Sequence, residues 1–155
     1  MSTVREYERF HGLVLVRVVR DASPSIRIGS FKSEDKSAYV LDNRLGLYIK
    51  YSSKRLSPWQ FSFHKPHLEV IESLNKALGQ VCVSLVCGND GVTVLTYLEM
   101  QAVLDKQGGE GGWVSVRRKR SGMYDVHGSD GKLKFKIAQS DCPNKILKCL
   151  VKCQQ

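Results

Sequence analysis

Arg117-Arg118-Lys119-Arg120 sets four cations in succession, and Lys132, Lys134 and Lys136 follow at alternate positions. Adjacent like charges repel, so such a run favours contact with a polyanion. At a strand end these side chains project to both sides and make a compact anion site. Alternation puts the three lysines on one face, opposite Leu133, Phe135 and Ile137. The stretch Ser52 to Trp59 adds small hydroxyls, Lys54, Arg55 and an aromatic ring. Hydroxyls and cations bind phosphate, and Trp59 or Tyr51 would stack on a base. Trp59 also alternates with Phe61 and Phe63, which favours a place in the core over a stacking role. The candidate nucleic-acid-binding residues are therefore Lys54, Arg55, Arg117, Arg118, Lys119, Arg120, Lys132, Lys134 and Lys136.

The charge distribution points the same way. Residues 1–112 carry 14 Lys and Arg against 12 Asp and Glu, whereas residues 113–155 carry 10 against 3. A field concentrated on one part of the surface suits nucleic acid or an acidic protein partner, although it also serves solubility. Other chemistries lack support. The five cysteines, Cys82, Cys87, Cys142, Cys149 and Cys153, include no CxxC, and no His-x-x-x-His accompanies them. They read as reduced thiols, mostly in the core, with Cys149 and Cys153 on one helix face. His11, His64, His67 and His127 read as surface or capping residues. Gly88-Asn89-Asp90-Gly91 lacks the Lys and Ser or Thr of a phosphate loop. Apolar runs reach only about seven residues against the ~20 a membrane helix needs, so no membrane partner is expected. The N-terminal segment lacks signal-peptide features, which makes the cytoplasm the expected location.

The elements that must position these residues alternate in type. Val4, Tyr7, Phe10, Val14 and Val18 recur at helical spacing, and a helix is favoured over residues 3–20, capped by Thr3 or Ser2. Gly12 and the β-branched run after it would suit a strand instead. Strands are expected from Ile26 to Phe31, Ala38 to Leu41, Leu47 to Tyr51 and Trp59 to Phe63, with a turn at Asp42-Asn43-Arg44. Pro66 opens a helix striped by Leu68, Ile71, Leu74 and Leu78, and Gly79 ends it. A buried strand Val81 to Cys87 follows, then Val92 to Leu95. Thr96-Tyr97-Leu98-Glu99 has capping-box spacing for a short helix. After the glycine-rich stretch 108–112, Trp113 to Val116, Met123 to His127 and Leu133 to Ile137 form an antiparallel meander. A last helix from Asp141 points Ile146, Leu147 and Leu150 inward and Lys145, Lys148 and Lys152 outward. The fold class is α/β (α+β), a central mixed sheet flanked by helices with a C-terminal antiparallel meander and closing helix. Residues 1–155 form one expected domain, with its α/β core in 1–107 and the basic meander and helix in 113–155.

The order helix, strands, helix, strand up to residue 87 resembles the core of the PD-(D/E)XK nuclease superfamily, in which an Asp precedes an acid-x-Lys triplet. Here Asp42 lies eight residues before Lys50, and the triplet is Tyr48-Ile49-Lys50, with tyrosine where the second acid belongs. The resemblance implies a catalytic set of Asp42, Lys50 and a displaced acid, Glu72 first, with Glu69, Glu6 and Glu8 as the other candidates, holding Mg²⁺ if the site is active. The segments 47–59, 85–88 and 128–131 are also similar to those of uncharacterised bacterial proteins, which implies a bacterial cytoplasmic origin without pointing to any activity. The leading expectation is a nucleic-acid-associated binding module with a nuclease-like fold and an incomplete metal site, requiring no cofactor. A regulatory domain docking an acidic protein and a metal-dependent nuclease are the alternatives.

Overall fold

The computed structural model describes residues 3–31, 34–104 and 110–152. Its elements are α1 (Glu6–Asp21), β1 (Ile28–Ser30), β2 (Ala38–Leu41), β3 (Leu45–Ser52), β4 (Trp59–His64), α2 (Lys65–Leu78), β5 (Val81–Cys87), β6 (Gly91–Thr96), α3 (Tyr97–Val103), β7 (Gly111–Arg118), β8 (Tyr124–Gly128), β9 (Gly131–Lys132) and α4 (Asp141–Lys152). Five strands form a mixed sheet in the order β1-β2-β3-β5-β6, with β3 and β5 parallel. The other four form an antiparallel sheet in the order β4-β7-β8-β9. This is the mixed α+β class read from the sequence. No described helix is long and apolar enough to cross a membrane.

The five-stranded sheet is covered on both faces, which is why β5 reads as an apolar run broken by Ser84 alone. Val81, Val83, Leu85 and Cys87 face a core shared with α2, α3 and the inner face of the four-stranded sheet, including Trp59, Phe61, Phe63, Val114 and Val116. Cys82 and Val86 face the other way, into a core with Phe10, Val14 and Val18 of α1 and Ile146 and Leu150 of α4. The basic C-terminal third is thus built into the same core as the first two-thirds. Ser84 shares the second face and is fully buried, and its Oγ is the one buried side-chain polar atom without a hydrogen-bond partner among the described residues. Ser84→Ala is expected to raise stability by about 1 kcal/mol, because an unpaired buried hydroxyl costs more than its loss. A lower denaturant midpoint in that variant would contradict the unpaired state.

Local chemistry set several boundaries. α1 begins after Arg5, one turn later than expected, and leaves Val4 exposed, while Phe10, His11, Val14 and Val18 form its buried face. Ser2 lies outside the described residues. Asp42 and Asn43 take positive φ values of 52° and 55° in the β2–β3 turn, a conformation short polar side chains tolerate. Gly79 ends α2 with a φ of 80°. Gly46 lets β3 lie directly under α2, since a Cβ there would stand 3.0 Å from that of Leu74.

Three expectations need correction. The strand expected over Leu133–Ile137 does not form: β9 ends before it, at Gly131–Lys132, and the segment keeps a single bridge from Ile137 to Tyr124. Leu133 and Ile137 are buried but Phe135 is 56% exposed, so the segment does not alternate, and Lys132, Lys134 and Lys136 do not share a strand face. Lys145 does not point to solvent. Its Nζ donates to the Val94 carbonyl and pairs with Glu99 at 2.9 Å and with Asp141 at 3.2 Å. The glycine-rich joint falls partly outside the described residues, and so does Cys153.

Candidate functional site

The acids assigned by the nuclease resemblance do not converge on Lys50. Asp42 sits in the turn before β3, where its Oδ1 accepts the Arg27 N–H at 2.8 Å. Lys50 lies five residues beyond Leu45, about 16 Å farther along the strand. Glu72 is exposed on α2, about 140° around the helix from His67. Among the described residues no three His, Cys, Asp or Glu side chains come together as a metal-ligand set. The residues named for Mg²⁺ therefore do not fit it.

Lys50 has other neighbours, which the sequence reading missed. Its Nζ lies 3.3 Å from His67 Nδ1 and 4.9 Å above the Phe63 ring. His67 Nδ1 also accepts the His64 backbone N–H at 3.0 Å, which leaves the ring proton on Nε2. Burial lowers the Lys50 pKa, with the charge of Asp35 partly opposing it. Burial and then Lys50 lower that of His67, holding the imidazole neutral. Asp35 accepts from the Tyr48 hydroxyl and from the Ser37 N–H at 2.8 Å. Burial pushes its carboxyl up, but these hydrogen bonds outweigh it and hold the group below its ordinary value. The cluster joins the middle of β3 to the N-terminus of α2 through polar groups.

The basic residues gather at one end of the four-stranded sheet. The Arg118 N–H donates to Ser57 Oγ at 3.1 Å, which brings the loop carrying Lys54 and Arg55 beside the β7–β8 turn with Lys119 and Arg120. The bridge between Ile137 and Tyr124 brings Lys136 to the same end. Lys54 Nζ is tied to the Pro58 carbonyl at 3.0 Å, and the Trp59 indole N–H donates to the Lys54 carbonyl at 2.9 Å, with Trp59 in the core.

Arg118 differs from its neighbours in the run. Its Nε and Nη2 grip the Asp90 carboxylate at 2.8 and 2.7 Å. The Tyr124 hydroxyl donates to the same carboxylate at 2.9 Å. Hydrogen bonding to Arg118 holds the Asp90 carboxyl below its ordinary range, although partial burial opposes it. Of the four consecutive cations, this one is neutralised inside the fold.

Strand register defines the outer face of the sheet. Trp59, Phe61 and Phe63 point inward opposite Val116, Val114 and Gly112, so Gln60, Ser62 and His64 point outward with Trp113, Ser115 and Arg117. Asp125 and His127 of β8 lie opposite Arg117 and Ser115, and Lys132 lies opposite His127. Trp113 and His127 meet edge to face, with ring centroids 5.4 Å apart and planes at 88°. Beside them a recess of about 540 Å³ is lined by Arg117, Asp125, His127 and Lys132. The signal for Trp113 was present in the sequence, because Val114 and Val116 mark the buried parity of β7.

The chain matches no family model, no curated protein and no solved structure.

Proposed function

We propose that this chain binds single-stranded nucleic acid on the outer face of the four-stranded sheet. Bases stack on Trp113 and His127, while Arg117 and Lys132 take adjacent phosphates. The observation that carries the reading is the aromatic pair on the outer face of the sheet, flanked by two cations on the neighbouring register positions, Arg117 and Lys132. Single-stranded binders combine stacking platforms with a cationic groove in this way. Lys119, Arg120, Lys136, Lys54 and Arg55 extend the positive surface beyond one end of the face, and Lys134 adds to it. Arg118 drops out of the binding set because Asp90 already holds it. Asp125 opposite Arg117 turns phosphates toward the Lys119–Arg120 end.

Fluorescence anisotropy of labelled single-stranded and duplex oligonucleotides at several salt concentrations tests this. Tighter binding of the single strand is expected, with log K falling by about 0.7 per phosphate contact as log salt rises. Engagement of Arg117, Lys119, Arg120 and Lys132 gives a slope of about −2.8. Absence of binding at low salt would refute the proposal and leave the basic surface to an acidic protein.

A further inference from the structure

Cys82 on β5 and Cys149 on α4 bring their sulfurs to 3.7 Å across the interface between the central sheet and the closing helix. Both side chains are buried, Cys82 completely and Cys149 at 8% exposure. The Gln80 side-chain N–H donates to the Cys149 carbonyl at 3.0 Å, which fixes the backbone of α4 against the start of β5. Cys149 also lines a surface recess of about 470 Å³ together with Gln80, Val81 and Leu98, so a small oxidant can reach that side. A disulfide needs the sulfurs about 2.05 Å apart, a closure of roughly 1.7 Å. Cys87 serves as an internal contrast, since its sulfur lies against Thr93 Oγ1 and the Leu85 carbonyl at 3.6 Å.

We propose that Cys82 and Cys149 are an oxidative modification site, forming a disulfide when the protein meets a peroxide. The Cys149 thiolate attacks one peroxide oxygen, the O–O bond breaks, and the departing hydroxide takes a proton to become water. The resulting Cys149 sulfenic acid is then attacked by the Cys82 sulfur. The S–S bond forms as the S–O bond breaks, and the Cys82 proton leaves with the hydroxyl as a second water. Two thiols are oxidised by two electrons and one hydrogen peroxide is reduced to two waters. The hydrogen bond to Cys149 and then burial hold the Cys82 thiol well above its ordinary pKa, with Lys145 opposing. The reaction is accordingly slow, on the order of minutes to hours.

Full-length protein treated with hydrogen peroxide, digested under non-reducing conditions and mapped by mass spectrometry tests this. A crosslinked peptide joining Cys82 to Cys149, reversed by dithiothreitol and absent from Cys82→Ser and Cys149→Ser, is expected. The link spans 67 residues and is expected to raise the unfolding midpoint by about 5–10 °C. Mapping of the wild-type chain decides the matter even where a serine variant folds poorly. Irreversible oxidation of single cysteines without a crosslink, or a Cys149–Cys153 link in its place, would overturn the proposal.

Discussion

Arg118→Ala will lower the thermal unfolding midpoint at neutral pH by about 5–10 °C, corresponding to roughly 2–3 kcal/mol. The two-point grip of Arg118 on Asp90 joins the β5–β6 turn of one sheet to β7 of the other, and Tyr124 adds its hydroxyl from β8. The paired side chains are only 17% and 20% exposed, so truncating the arginine strands a carboxylate that water reaches poorly. Residual access to solvent keeps the effect below that of a fully buried pair. A double-mutant cycle with Asp90→Ala will show the double variant less destabilised than the sum of the singles, since both remove one interaction. The pH dependence has a definite sign. Arg118 depresses the Asp90 carboxyl in the folded chain, so the unfolded chain binds the proton first. The contribution is fully present above the ordinary value of 3.8 and is lost as pH falls through the folded-state value. Wild-type and Arg118→Ala midpoints will therefore converge in acid. Curves that stay parallel down to about pH 2 would show that the pair is not the source of the difference.

Trp113→Ala will weaken single-stranded nucleic-acid binding by about 5- to 150-fold, the range for one base losing its stacking partner. The salt slope will remain that of the wild type, because no phosphate contact is removed. Arg117→Ala and Lys132→Ala will behave in the opposite manner, each flattening the slope by about 0.7 with a smaller loss at low salt. Trp113→Phe keeps an aromatic face and will recover most of the affinity. The indole is half-buried on an outer face and its backbone N–H bonds Ser129 Oγ, so Trp113→Ala leaves that bond intact. Affinity unchanged in Trp113→Ala, alongside binding that tracks only the cations, would remove base stacking from the mechanism.

Elements governed by neighbours in the sequence are legible from the sequence alone. The Thr96–Glu99 capping box forms in both directions, at 2.9 and 3.2 Å, because its partners are three residues apart. Pro66 and Gly79 bound α2 for similarly local reasons. What the sequence hid depends on distant partners. Arg118 looked like one of four equivalent cations, and its carboxylate lies 28 positions away. The alternation of Leu133, Phe135 and Ile137 suggests a strand, yet β8 pairs with Gly131 and Lys132, accepts one hydrogen bond from Leu133, and meets the rest of the segment through one bridge at Ile137. The nuclease resemblance pairs Lys50 with Asp42, whereas the chain brings it to His67, contributed by the helix after the next strand. The outer face was half legible: the parity of β7 exposes Trp113, but the register that sets His127 beside it is tertiary.

The placement of β4 has a consequence for synthesis. β4 follows β3 in sequence yet pairs with β7, so Trp59 meets Val116, which the ribosome adds 57 positions later. At roughly 5–20 residues per second, the aromatic strand waits about 3–11 s for β7, its neighbour in the sheet. Over that interval Trp59, Phe61 and Phe63 present an apolar strand edge to whatever the nascent chain encounters. A chain released before residue 111 carries that edge permanently. The basic final third therefore acts, during biosynthesis, as the segment that closes this edge.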